Sequence, residues 1–366
     1  MSAPLPPRRQ TQRRLMLRRF MRHRLAVAGA CATLLIYLVC AFAEIVAPFP
    51  MDRMSVAHTY APPQALRLFA STDAGTRFMP HVVGYRVTID RDTRQRTFAL
   101  DESRIIPVGF FVRGEPTHLF GVFPVDWRLF GPRDPSDPMY LLGADRLGRD
   151  VLSRTIYGAR VSMSVGLLGV LLSLVLGIIL GGLAGYYGGR IDMIQQRTAE
   201  ILDSIPSIPL WLALAAAIPQ STSPIAVYFL ITVVLSVVGW TELARVVRGR
   251  FYALRTEDFI TAAKLDGLSD VRIVLQHMVP NFASHIIAVS TLAVPATILA
   301  ETALSFLGVG LRPPVVSWGV LMQEAQNIRA VSTAPWLLAP GAAVVIAVLA
   351  LNFFGDGIRD AADPHS

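Results

Sequence analysis

Long stretches of this chain carry no charged side chain, among them Leu25 to Ala43, Val161 to Tyr187 and Ser204 to Thr241. The hydrocarbon of a bilayer is about 30 Å thick and a helix rises ~1.5 Å per residue, so about 20 apolar residues span it. In lipid every backbone N–H and C=O must be satisfied within the structure, and unbroken apolar runs of this length do so as helices. Composition agrees: 53% of residues are hydrophobic and 16% charged, against about 25% charged in a soluble domain. The first run predicts one span. The second predicts another, in which Gly177, Gly181, Gly182 and Gly185 include small-residue spacings that let helices approach closely. The third run is too long for one helix, and Pro219-Gln-Ser-Thr-Ser-Pro224 divides it. A third span is expected from near Thr198, with Glu200 and Asp203 near one end, and a fourth over Ile225–Trp240. A fifth over His285–Leu307 contains Glu301, and a sixth covers Val331–Phe354. The expectation is an all-α polytopic membrane protein of six transmembrane helices.

Between the first two spans, residues 48–150 are polar and rich in Pro, Asp and Arg. Val82–Ile89 partly alternates, Asp90–Thr93 reads as a turn, and Arg94–Leu100 and Ile105–Val112 read as returning strands. This segment is expected to form a small β-containing insert outside the bilayer, as a docking or gating surface or as a decoration outside the pore. The resulting division is a basic arm 1–24, a first transmembrane segment 25–47, the insert 48–150, a transmembrane domain 151–355 and a polar tail 356–366.

The formal charge of +8 is matched by the arm alone, where Arg8, Arg9, Arg13, Arg14, Arg18, Arg19, Arg22 and Arg24 stand without an acid. Arginines directly before an apolar run hold that end in the cytoplasm. With the arm inside, loops 188–197 and 242–284 are also inside and hold Arg190, Arg197, Arg245, Arg248, Arg250, Arg255, Lys264 and Arg272. The outer loop 219–224 carries no basic residue, and 308–330 carries Arg312 and Arg329. Both termini are then cytoplasmic. Because the charge is confined to the arm, it reads as a topology signal and not as a nucleic-acid site.

Several chemistries are excluded by missing residues. Lys264 is the only lysine and does not end a Gly-rich phosphate loop. The histidines show no metal-ligand spacing, and no nucleophile motif occurs. Cys31 and Cys40 both lie in the first apolar run and read as small buried hydrophobes. No catalytic residue, metal or cofactor site is expected.

The informative cytoplasmic segment begins at Glu257. Phe259, Ala262, Ala263 and Leu265 give a short helix a small apolar face, and Gly267 ends it. A second helix, Asp270–Met278, presents Val271, Val274, Leu275 and Met278, with Pro280 as its stop. Two short helices joined by a glycine elbow suit docking in a partner's groove. The same pattern suits packing on the chain's own bundle, and the residues alone do not choose.

Thr261-Ala-Ala-x-x-x-Gly267 followed by His277-x-x-Pro280 resembles the EAA loop of binding-protein-dependent ABC importer permeases. Thr261 stands where that loop often has its glutamate, with Glu257 nearby. Leu142-Gly-Ala-Asp-Arg-Leu-Gly-Arg-Asp-Val-Leu-Ser-Arg154 with Tyr157-Gly-Ala-Arg160 is similar to the C-type inner-membrane permease subunit of dipeptide and oligopeptide importers. So are Gly185-Tyr-Tyr-Gly-Gly189, Ser305-Phe-Leu-Gly-Val-Gly310 and Gly355–Asp363. The resemblance implies a type I importer permease fold in a bacterial inner membrane. It implies a second, B-type permease subunit, two cytoplasmic ATPase subunits that bind ATP and Mg, and an extracytoplasmic solute-binding protein. It places Glu257, Ala262, Ala263, Gly267, His277 and Pro280 in the ATPase-coupling loop.

Two other groups stand out. Asp145, Arg149 and Asp150 precede the second span on the outside. They make either a surface facing the binding protein or a self-paired segment that anchors the span. Glu301 would cost roughly 2.5–3.5 kcal/mol at a bilayer centre, so it must face protein or water. It lines the solute path or hydrogen-bonds to the paired subunit. Nickel, an opine or another peptide-like solute stays open beside peptides. An ion-gradient transporter is the less favoured reading, because it asks for more mid-membrane charges and for internal repeats.

Overall fold

The computed structural model describes residues 12–72, 75–89 and 96–362. Arg8, Arg9, the turn expected at Asp90–Thr93 and residues 363–366 of the expected tail lie outside the described residues. Helix α1 (Gln12–Arg22) carries the basic arm. His23 leaves helical geometry, and its Nδ1 accepts from the Ala26 N–H at 3.1 Å, which starts α2 (Arg24–Ala41). The chain breaks at Phe42 and makes one turn, α3 (Ala43–Val46). The first apolar run is therefore one helix with a short outer turn.

The insert holds a four-stranded antiparallel sheet, β1 (Arg67–Thr72), β2 (Gly75–Ile89), β3 (Arg96–Leu119) and β4 (Phe123–Pro132), in that spatial order. The two strands expected at 94–100 and 105–112 are one long strand. Val83 pairs with Ile105 but Gly84 with Asp101, so Glu102–Arg104 bulge out without turning the chain. Past the bulge β3 changes partner: it pairs with β2 up to Pro107 and with β4 from Val108. Phe49, Val82, Ile106, Val108 and Met139 form a small core beneath the sheet.

Five helices among the described residues are long and apolar enough to cross a membrane: α2, α4 (Val151–Tyr187), α7 (Pro224–Leu254), α11 (Ala283–Phe306) and the stretch Pro335–Ala362 that contains α14 (Ala339–Ala362). A sixth crossing would be the pair α5 (Gly189–Ser204) and α6 (Ser207–Ala216), which is bent by 89°. The third span expected as one helix from Thr198 is thus broken. Pro206 and Pro209 interrupt the backbone hydrogen bonding there. The expected loop 188–197 is an elbow at Gly188 and Gly189, with φ +68° and +60°, that leads straight into α5.

Three boundaries move. The second span begins at Val151, ten residues before Val161, because the Asp150 carboxylate accepts from the Ser153 N–H and starts the helix early. The fourth runs on to Leu254, so the start of the polar, mostly helical segment expected at 242–284 continues the span's own helix. The last begins after a kinked approach, α12 (Trp318–Met322), α13 (Ile328–Thr333) and a 3-10 turn Pro335–Leu338, and its helix takes in the expected tail as far as Ala362.

Close packing of α4 on α7 rests on the glycine stripe. A Cβ on Gly177 would lie 2.8 Å from Leu243 Cβ, one on Gly181 2.3 Å from the Ala244 carbonyl oxygen, and one on Gly185 2.6 Å from that of Arg248. Bare backbone at every fourth position lets the two helices touch along their length.

Candidate functional site

The elbow after α7 is built by α8 (Asp258–Leu265), α9 (Asp270–Ile273), a π-helical turn Val274–Met278 and α10 (Val279–Asn281). Glu257 is the N-cap of α8, and Gly267 follows it with φ +78°. One side of the elbow closes on the chain itself. Ile260, Ala263, Ile273 and Met278 join Phe251, Phe282, Tyr186 and Ile286 in one buried cluster. The Tyr186 and Tyr187 hydroxyls donate to Asp270 at 2.7 and 2.9 Å, and these bonds hold its carboxyl below the usual range. The other side is bare: Leu265 is 84% exposed, Val271 69%, Leu275 59% and Phe259 39%.

One face of the elbow is therefore packed on the chain's own bundle, and the opposite face is bare. The helix face expected from sequence is split. Ala263 turns inward while Ala262, Phe259 and Leu265 turn outward. On the second helix Met278 is buried but Val271 and Leu275 are exposed. Pro280 does not stop the helix. The backbone widens into a π turn before it, giving the ring room where it would meet the carbonyl four residues back, and the break falls at Phe282. Glu257, Gly267 and Pro280 are exposed, and His277 is half-buried. A Cβ on Gly267 would meet nothing within 4 Å, so the space over it is open.

Within the bundle, α4, α7 and α11 border a cleft of about 530 Å³. Small side chains line its middle: Ser173, Gly239, Ala293, Ala296 and Thr297. Glu242, His285 and Arg359 also border it. The Trp211 Nε1 on its wall is buried without a hydrogen-bond partner. The sequence reading missed this cleft. Its signal was the run of Ala, Ser and Thr along one face of α11, which periodicity alone assigns to helix packing.

A second cavity, of about 570 Å³, lies between the start of α4 and the loop after α11, with Tyr60, Asp145, Arg146, Arg149, Arg154 and Glu324 among its walls. The Asp145 carboxylate accepts from the Arg149 side chain at 2.7 Å, from Arg154, and from the N–H groups of Leu147 and Arg149 at 2.8 and 3.0 Å. Asp150 accepts from the Ser153 N–H and hydroxyl at 2.8 and 2.6 Å, and burial pushes its carboxyl up to about 6. Burial also raises the Glu324 carboxyl. Asp145 and Asp150 are thus the joints of a folded segment, and the arginines form the cavity wall.

Glu301 has no exposed surface. Its carboxylate accepts from the hydroxyls of Ser162 at 2.9 Å and Ser305 at 2.8 Å. Ser162 also accepts from the Trp318 N–H at 3.1 Å and Ser305 from the Leu311 N–H at 3.0 Å. The hydrogen bonds expected toward a paired subunit are made inside this chain, and Glu301 does not line the cleft. Glu301→Leu strands both hydroxyls, whereas Glu301→Gln retains an acceptor. The leucine variant is expected to lose about 1–3 kcal/mol per stranded group. Thermal aggregation of the purified protein checks this: leucine lowers the midpoint clearly and glutamine only slightly.

A bundle of long apolar helices with an internal cleft and an exposed apolar elbow is the architecture of a polytopic membrane protein. The profile described as binding-protein-dependent transport system inner membrane component matches residues 174–366, and that for the N-terminal TM domain of oligopeptide transport permease C matches residues 11–63. The chain belongs to the family of binding-protein-dependent transport system inner membrane components, the permeases of ABC importers, which are transport subunits and not enzymes. It is 37% identical over 240 residues to the oligopeptide transport system permease protein OppC of Haemophilus influenzae, covering 65% of this chain and 75% of that one. It is 38% identical over 232 residues to the dipeptide transport system permease protein DppC of Bacillus subtilis, covering 63% and 70%. A solved chain described as an inward-facing conformation of the MetNI methionine ABC transporter aligns with TM-score 0.44 at 18% identity, covering 57% of this chain and 96% of that chain.

Proposed function

We propose that this chain is the C-type permease half of a peptide importer, and that its elbow at 255–281 is the coupling loop on which a partner ATPase docks. The observation that carries this reading is the bare row Phe259, Leu265, Val271 and Leu275 beside a glycine with positive φ. Exposed apolar side chains on a polar, non-spanning segment mark a protein interface. Glu257, Ala262, Gly267, His277 and Pro280 belong to that surface or its edge. Ala263 seats the helix on the bundle. A B-type permease subunit completes the path across the cleft, a second ATPase subunit docks on that partner, and an extracytoplasmic binding protein delivers the solute. ATP and Mg stay on the ATPase subunits, and this chain holds no cofactor.

Peptides are the favoured solutes because the relatives above are oligopeptide and dipeptide permeases. Nickel, an opine or another peptide-like compound is the alternative. Competition of labelled dipeptide uptake by unlabelled dipeptide, Ni²⁺ or opine separates them, and displacement by the dipeptide alone is the expected result. Asp145, Arg149 and Asp150 frame an outer reception site through the folded segment that they lock.

With α5 and α6 counted as one crossing, there are six spans in a bacterial inner membrane. Both termini and the elbow then lie in the cytoplasm, and the 48–150 insert lies outside. In a Cys31→Ser/Cys40→Ser background, Glu102→Cys is expected to react with an impermeant maleimide in spheroplasts. Ser269→Cys is expected to react only after permeabilisation. The reverse pattern overturns the orientation.

A further inference from the structure

The β3–β4 hairpin ends in a tip that has no use in a freely soluble sheet. Leu119 pairs with Phe123, and Phe120-Gly121-Val122 make the turn. Phe120 is 56% exposed, Val122 69% and Phe123 62%. From Leu119 to Val125 there is no charged side chain. Phe120 holds φ +53°, a region that a bulky side chain rarely adopts.

The depth of this tip is fixed by Arg160. Its guanidinium carbon lies 5.4 Å from the centre of the Phe120 ring. The same guanidinium donates to the Cys40 and Ala41 carbonyl oxygens at 2.9 and 3.1 Å and to the Glu44 carboxylate at 2.6 and 2.7 Å. Those carbonyls belong to the last turn of α2, whose outward face is Leu34, Leu35, Leu38 and then Phe42. Phe120 thus sits level with the end of the uncharged run, where hydrocarbon gives way to headgroups. The Arg160–Glu44 pair marks that boundary, since both groups keep polar company there.

We propose that the tip of the β3–β4 hairpin, Phe120, Val122 and Phe123, dips into the outer leaflet beside α2 and anchors the external sheet to the lipid surface. The inference rests on α2 crossing the bilayer. Continuity with the lipid-facing side of α2 selects lipid as the occupant. Size points the same way: the two aromatic rings offer about 150–250 Å² each, and a stable protein interface needs about 800 Å² a side. Aromatic rings are also the side chains that settle at a membrane boundary.

The test uses the complete transporter in lipid nanodiscs, with Val122→Cys in a Cys31→Ser/Cys40→Ser chain carrying an environment-sensitive fluorophore. Glu102→Cys, on the bulge of β3, is the water-exposed reference. Lipids bearing a doxyl group high on the acyl chain are expected to quench position 122 roughly twofold or more over position 102, while iodide quenches it less. Phe123→Cys gives the same reading if the first variant folds poorly. Quenching by iodide equal to that at position 102, without doxyl quenching, overturns the proposal. Shielding from both quenchers also overturns it, and points to a protein partner instead.

Discussion

Gly267→Val is expected to insert normally into the membrane and to lose ATPase coupling. The residue sits at φ +78° with open space over it. A β-branched side chain there costs on the order of 1–3 kcal/mol in the backbone alone. Relief of that strain re-aims α8 against α9 across the connection 266–269 and loosens the cluster that Ile260, Ala263 and Ile273 share. The apolar row Leu265, Val271 and Leu275 spans that joint, so its geometry is lost with it. About 1.4 kcal/mol is tenfold in an equilibrium constant, so strain of this size weakens docking by roughly 5–150-fold. Ala262→Trp tests the same surface without strain, because Ala262 faces outward. Ala263→Trp does not, since Ala263 is 6% exposed and packs in the chain's own cluster. It is expected to unfold the elbow. Co-purification of the ATPase subunits, with membrane yield as the control, checks all three: the first two keep yield and lose partners. Full retention of the partners by both Gly267→Val and Ala262→Trp shows that 255–281 is not the docking element.

Gly181→Leu is expected to have the largest effect on folding. A Cβ there already falls 2.3 Å from the Ala244 carbonyl oxygen, and backbone cannot step aside as a side chain tip does. Separating α4 from α7 opens the longest helix contact in the bundle. Overpacking a single site costs typically about 1–3 kcal/mol, and this site sits at the upper end because the obstacle is main chain. The expected outcome is a collapse of monodisperse protein on size exclusion in mild detergent. Gly249→Leu, where a Cβ meets nothing within 4 Å, is the matched control and keeps its yield.

The membrane character and most spans were legible because an uncharged run has one stable form in lipid. What was not legible follows from the same logic. The first ten residues of α4 contain Arg154 and Arg160, which read as non-spanning until Asp145 and Glu44 are seen to neutralise them. The polar half of α7 reads as a separate, mostly helical segment outside the span, because its arginines hide the continuity that Leu243, Val247 and Phe251 supply. β1 and β4 lack alternation, since their pairing is set by β2 and β3. On α8 the choice between Ala262 and Ala263 is a rotation that eight residues with apolar side chains on both faces do not encode. Ile260 decides it by entering the cluster under Phe251.

In the complete complex this chain is expected to convert ATP hydrolysis on partner subunits into solute passage. The direct measurement is labelled dipeptide uptake by vesicles containing the complete complex, with ATP inside and loaded binding protein outside, compared with vesicles containing this chain alone. Uptake and ATP hydrolysis are predicted in the first and neither in the second, with Gly267→Val reducing both toward the level of the lone chain. Contaminant-free ATP hydrolysis by the lone chain, or uptake by it under an ion gradient, would contradict the account.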